Sequence, residues 1–319
     1  LRRGVALCYR QQMDTRQNTP TDVLHLCMAF GCDSQLRLQG GKPVNGVTCL
    51  CWNYPCGGYT LLRRIEEQFA AGIGYGMQGH PGQFLAVLAL SRVPSDYPIR
   101  VGEETGTIAD LVEFEKLQCT AGGDLSLALV GLAYYVGFED TWQNRLGEQW
   151  SVARIVQQEL ERPAEGLPCG GLHRLFGLSY AIDQRKMAGL PIDGVYARAR
   201  DYLAEFQQYA LSLQNDDGTW NPHFFAYRGT GGSLAEQLRA TGHILQWLVL
   251  SLPEDQLQDP RMLRSVDFVI GALGQRGFRW RLTSESPENV AAVMHAVHAL
   301  VLYDQRVFQP YDAQEAADE

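Results

Sequence analysis

Positive charge is in short supply in this sequence: Lys and Arg number 27 against 36 Asp and Glu, for a net charge of -9 and a pI near 5.3. A chain this acidic offers no basic stripe to release counterions from nucleic acid or to sit on anionic lipid, which argues against both partners. Short basic pairs such as Arg63-Arg64 read as solvated helix faces. Long hydrophobic runs are missing too. The longest uncharged apolar stretch, Leu125 to Phe138, reaches only about half to two-thirds of a bilayer-spanning length, so it reads as a buried core helix and no transmembrane segment is expected. Strand signals are sparse, with one short hairpin expected over Leu36 to Thr48, around Gly40-Gly41 and Asn45-Gly46. An initiator methionine is absent. The start at Leu1 suggests a preceding segment, such as a signal peptide, and with it a cell-envelope or secreted location.

What is present is the composition of a folded globule: 319 residues, 45% hydrophobic and 20% charged. Residues 1–311 read as one domain with a Cys/Gly-rich loop over 32–60, followed by an acidic tail, 312–319. Among eight cysteines, Cys49, Cys51 and Cys56 crowd that loop, where either one or two bridges or free thiols would fit. Their C-x-C and C-x4-C spacings lack the second matched pair of a zinc knuckle.

Two helix types alternate along the chain. One carries charge along a face: Arg2 to Gln12, Leu61 to Phe69, Ile108 to Gln118, Trp150 to Arg162, Val195 to Leu213 and Met262 to Leu273. The other is almost uncharged: Thr21 to Phe30, Pro81 to Ser91, Leu125 to Val136, Leu172 to Ile182, Thr241 to Leu252 and Val290 to Leu302. A helix that is apolar on every side must be surrounded by protein, so the uncharged partner of each hairpin lies inward. Six such hairpins closed on themselves form an all-α (α/α)6 toroid, with a charged outer ring and an apolar inner ring. The long loops Asn215 to Gly232 and Gln275 to Pro287 both precede inner helices and would lie on one rim.

The segment Gln214-x3-Gly218-x-Trp220 resembles the QW motif of the terpenoid cyclase and prenyltransferase-like α/α-toroids, with a degenerate second copy at Gln275, Gly277 and Trp280. In that motif the Gly ends a helix in a left-handed conformation, the Trp staples the loop, and the Gln bonds exposed backbone. The whole chain is also similar to toroid proteins of planctomycete bacteria, a likeness that implies no particular activity. The D-x-D-D acid of the cyclases, a DDxxD diphosphate site and the C-G-E-Q thioester of complement toroids do not occur here. Lanthionine-synthetase toroids hold zinc with Cys, Cys and His. Cys119, Cys169 and His173 resemble that set loosely, which makes zinc the cofactor to consider.

An internal repeat marks the inner runs: Gly79-His80-x2-Gln83 and Gly242-His243-x2-Gln246 place His and Gln on one helix face at matched points. Six of the seven histidines fall on inner runs or at their first residue, and in a toroid those ends converge on one mouth. The candidate catalytic residues are His80, Asp124, His173, His243 and Glu288. Gln83, Gln246, Trp220, Trp247 and Tyr227 are candidate ligand contacts. Each has a plainer role as an alternative: a satisfied core histidine, a helix cap at Asp124, Glu236 or Glu288, a solvated turn at Asp216-Asp217.

Three functions follow. A glycan hydrolase or lyase would pair Asp124 or Glu288 as acid with His80 or His243 as base, beneath an aromatic rim. An isoprenoid or lipid enzyme would show a deep apolar cavity. A scaffold or partner-binding toroid would show a filled axis.

Overall fold

Twelve α-helices carry most of the chain in the computed structural model, which describes residues 1–11, 13–162, 167–274, 282–283 and 286–308. They are α1 Arg2–Tyr9, α2 Pro20–Phe30, α3 Gly46–Cys51, α4 Gln83–Leu90, α5 Ile108–Gln118, α6 Ser126–Tyr135, α7 Val152–Glu161, α8 Leu172–Met187, α9 Gly194–Ser212, α10 Leu234–Ser251, α11 Pro260–Leu273 and α12 Pro287–Val307. The expected second motif copy at Gln275, Gly277 and Trp280 and the tail 312–319 lie outside the described residues. No described helix is long and apolar enough to cross a membrane.

The uncharged runs fall within the even-numbered helices. α2 packs on α4, α4 on α6, α6 on α8, α8 on α10, α10 on α12, and α12 returns to α2. Their burial explains this order, since α6 carries no charge and is buried on most of its surface, leaving it no face for water. α5, α7, α9 and α11 each lie against the even-numbered helices on either side of them or one of these, and α1 lies against α11 and α12. α7 shows how an odd-numbered helix is attached. Its Glu159, fully buried, accepts from Ser126 Oγ at 2.7 Å and the Leu125 N–H at 3.3 Å, and pairs with Arg162 at 3.4 Å and Arg174 at 3.8 Å.

Short hairpins lie in several of the connections between helices. β1 Met13–Asp14, β2 Gln35–Arg37 and β3 Pro43–Asn45 form one sheet, β2 pairing parallel to β1 and antiparallel to β3 with Leu36 opposite Val44. This contains the expected hairpin, and Asn45 then caps α3 by accepting from the Thr48 N–H at 3.1 Å. β4 Leu62–Ile65 with β5 Gln68–Ala71, β6 Pro98–Val101 with β7 Glu104–Thr107, and β8 Trp142–Gln143 with β9 Gln149–Trp150 are antiparallel pairs.

Leu61 to Phe69 is therefore not an outer helix. Glu66 and Glu67 take left-handed φ of 47° and 64° and turn the chain, Arg64 stacks its guanidinium 4.3 Å over the ring of its cross-strand partner Phe69, and β5 packs on α5. The second odd-numbered helix is instead α3, inside the cysteine loop; all eight cysteines are free thiols, with Cys49 and Cys56 sulfurs 3.8 Å apart.

Gln214, Gly218 and Trp220 tie α9 to α11. Gln214 Nε2 donates to the Arg261 carbonyl at 2.9 Å and to Ser265 Oγ at 2.7 Å, while fully buried Trp220 donates to the Ala210 carbonyl at 2.7 Å. Gly218 sits at φ +86°, and a Cβ there would lie 2.4 Å from the Arg264 carbonyl carbon.

Candidate functional site

Where the six even-numbered helices face one another they leave a cavity of about 320 Å³ to which all six contribute. Leu24, Met28, Val87, Leu127, Phe176 and Trp247 give it apolar walls, and Trp247 is fixed by donating to Ser179 Oγ at 3.1 Å. The polar lining is histidine-rich: His25, His80, His173, His243 and His295, with Gln83, Gln246, Cys169 and Arg239. Among the described residues, Arg239 is the one Lys or Arg in this lining, and no Asp or Glu lines it.

The imidazoles touch. His243 stacks on His295 with centroids 3.4 Å apart, His295 meets His25 edge-on at 5.4 Å, and His80 meets His173 at 4.4 Å. Their hydrogen bonds set the tautomers, because a carbonyl oxygen only accepts. Nδ1–H of His243 donates to the Arg239 carbonyl at 2.8 Å and Nδ1–H of His25 to the Thr21 carbonyl at 2.8 Å, which leaves Nε2 of each with its lone pair. Gln246 Oε1 accepts a hydrogen bond from His295 Nδ1–H at 2.6 Å, and its Nε2 donates one to His298 Nδ1 at 2.7 Å. Burial, reinforced by neighbouring imidazoles, holds His243 and His173 down to about 3 and His295 well below its usual value; burial alone takes His298 to about 4. All four are neutral at physiological pH.

One group in this cluster has the makings of a metal centre. Ligand atoms of Cys169, His173 and His243 all lie within 4.8 Å of one another, a separation at which one ion can be held. Donors around tetrahedral zinc sit about 3.3–3.8 Å apart, so closure needs side-chain adjustments of about an ångström. Cys169 also has a left-handed backbone, φ 50°, followed by Gly170 and Gly171 at 65° and 83°. A non-glycine residue held there costs about 1–3 kcal/mol, and such strain persists where surrounding structure imposes it. Burial pushes the Cys169 thiol up, and the nearby Arg239 guanidinium pulls it down.

The other expected site residues divide. Asp124 lies beside the cavity in a recess shared with Arg162, His173 and Arg174; His80 at 3.8 Å and Arg162 at 3.3 Å hold its carboxyl far below the usual range, against the opposing effect of burial. Asp22 and Glu236 are caps, accepting from the Thr19 and Ser233 N–H groups at 2.8 and 2.7 Å. Glu288 stands in the first turn of α12, with its side chain outside the described residues. Trp220 is fully buried and Tyr227 is exposed, and neither lines the cavity. Cys119 ends α5, where its thiol donates to the Glu115 carbonyl at 3.5 Å, so it takes no part in the donor group; His243 stands in its place.

The two Gly-His-x2-Gln segments are not structurally equivalent. His243 and Gln246 sit in the middle of α10, which begins two turns earlier at a Ser233 capping box, whereas His80 lies in the turn before α4. Gln83 accepts the Gly79 N–H at 2.8 Å and so closes that turn, while Gln246 bridges two histidines. Sequence reading missed Arg239, whose position one turn before His243 on α10 was the available signal.

No family model, no curated protein and no solved structure matches this chain.

Proposed function

We propose that this chain is an (α/α)6 toroid of the terpenoid cyclase-like type, and that it is an enzyme carrying out hydrolase- or lyase-type chemistry on a small, mainly apolar molecule bound in the axial cavity. The return of α12 to α2 supports the closed ring, and the charged helices outside it support the two-layer reading. The observation that carries the functional proposal is the convergence of Cys169, His173 and His243 donors, within 4.8 Å, on one end of a cavity with apolar walls. An open cavity speaks against a scaffold with a filled axis. Among the described residues no carboxylate lines the cavity, which speaks against paired-acid glycan hydrolysis by those residues and favours the lipid- or isoprenoid-sized ligand.

In this reading Cys169, His173 and His243 hold zinc, which when bound supplies Lewis-acid polarisation of a ligand oxygen. The Arg239 carbonyl orients the His243 ring by accepting from its Nδ1–H. Asp124, anchored by Arg162, holds His80 at the cavity wall, and His80 moves the proton. Leu24, Val87 and Phe176 exclude water and receive the apolar body of the ligand.

Metal analysis of purified protein tests the reading. One zinc per chain, displaced by cobalt with a thiolate charge-transfer band, is expected, and both signals are lost in Cys169→Ser and in His243→Gln. Wild-type protein that fails to take up zinc at micromolar concentration would defeat the zinc assignment.

A further inference from the structure

We infer that the axial cavity recognises an oxyanion head group, carboxylate or phosphate monoester, on an apolar chain, and that Arg239 is its anchor. The inference rests on the proposed use of this cavity as a ligand site. Charge inside the cavity is unbalanced in a way packing does not explain. Arg239 lines the wall, and among the described residues no Asp or Glu lines it with Arg239. Glu236, one turn earlier on the same helix, has its carboxylate committed to the Ser233 N–H and hydroxyl at 2.7 and 2.9 Å. Asp124, in the recess beside the cavity, is held by Arg162 and His80. The imidazoles that share the lining with Arg239 offer hydrogen-bond donors and acceptors to a ligand.

Geometry suits the guanidinium to this task. It lies over the Phe224 ring, 5.3 Å from the centroid, and among the described residues its N–H groups have no hydrogen-bond partner, which leaves them for a fork to a ligand. Arg239 is only half-buried, and on α10 it stands about two turns before Trp247, which with Leu24, Val87 and Phe176 forms the apolar wall. A ligand that satisfies both ends has one anionic oxygen group at Arg239 and a hydrocarbon chain along the axis. A neutral chain would offer the Arg239 guanidinium no anionic partner inside the cavity.

Calorimetric titration of the zinc-loaded protein with octanoate, octyl phosphate and octanol reads this directly, with zinc content measured on the same samples. At least one of the two anions is expected to bind about ten- to one-hundred-fold more tightly than octanol, the range of a charge-assisted bidentate contact. Arg239→Gln removes that preference while octanol affinity and zinc content stay unchanged, and Arg239→Lys, which keeps the charge but loses the fork, retains part of it. Equal affinity for all three probes, or an undiminished preference in Arg239→Gln, overturns the inference even if zinc and octanol binding are intact. Loss of zinc with the anion preference preserved would reject the metal assignment and leave this one standing.

Discussion

Gln246 serves two histidines with opposite needs, accepting a hydrogen bond from His295 and donating one to His298, so a single amide fixes the tautomers of both. Gln246→Leu, which preserves shape, strands two buried ring nitrogens at about 1–3 kcal/mol each and is expected to lower the melting temperature measurably in calorimetry. His298 gives the protein an acid sensitivity of definite sign. It is neutral in the fold down to about pH 4 and protonated in the unfolded chain below about pH 6.5, so unfolding in that window takes up a proton. Its contribution to stability is complete above about pH 6.5 and is lost as pH falls toward about 4, at up to about 1.4 kcal/mol per pH unit. His298→Gln is expected to flatten urea-derived stability across that window by about this slope. Glu115 acts in the opposite direction. Burial raises its carboxyl to about 7, so its ionisation weakens the fold as pH rises above its ordinary range. Glu115→Gln is therefore expected to raise the melting temperature by about 2 °C or more near pH 8, with little change near pH 5.

At the level of elements, close packing depends on a few backbone positions. Gly242 presses α10 onto α12, where a Cβ would lie 3.0 Å from Ala296, and Gly218 lets the end of α9 meet α11. Gly218→Ala combines a left-handed φ with a backbone clash and is expected to cost about 2 kcal/mol or more, read as a lowered urea midpoint with an unchanged slope. The helices were legible in the sequence where burial is extreme. Ile108 to Gln118 coincides with α5, and the six uncharged runs all became helices because nothing but protein can surround them. Leu61 to Phe69 misled because Arg63, Arg64, Glu66 and Glu67 fit a helical charge pattern equally well, and only the contact with α5 selects the strand pair. The short helix α3 was hidden because Gly46 to Cys51 carries neither charge nor length. His80 and His243 share a spacing, but helix start sites are set by caps, and Ser233 moves the start of α10 upstream.

Across the whole molecule, long-range convergence was the least legible feature. Cys169 and His173 are near neighbours in sequence, and sequence reading grouped them; His243 joins them only through the packing of α8 on α10, which no local pattern reports. The layered burial makes a global prediction. Amides in α6 and α12 are expected to exchange with deuterium only on global opening, whereas those of the exposed β6–β7 hairpin exchange through local opening, by mass spectrometry. The packing of α12 against α2 also has a consequence during synthesis. An early greasy helix has to wait for the last one before its flank is covered, so the nascent polypeptide carries an adhesive, unfinished surface for most of translation. Chaperone dependence and slow refolding from denaturant are thus built into the order in which the chain is made.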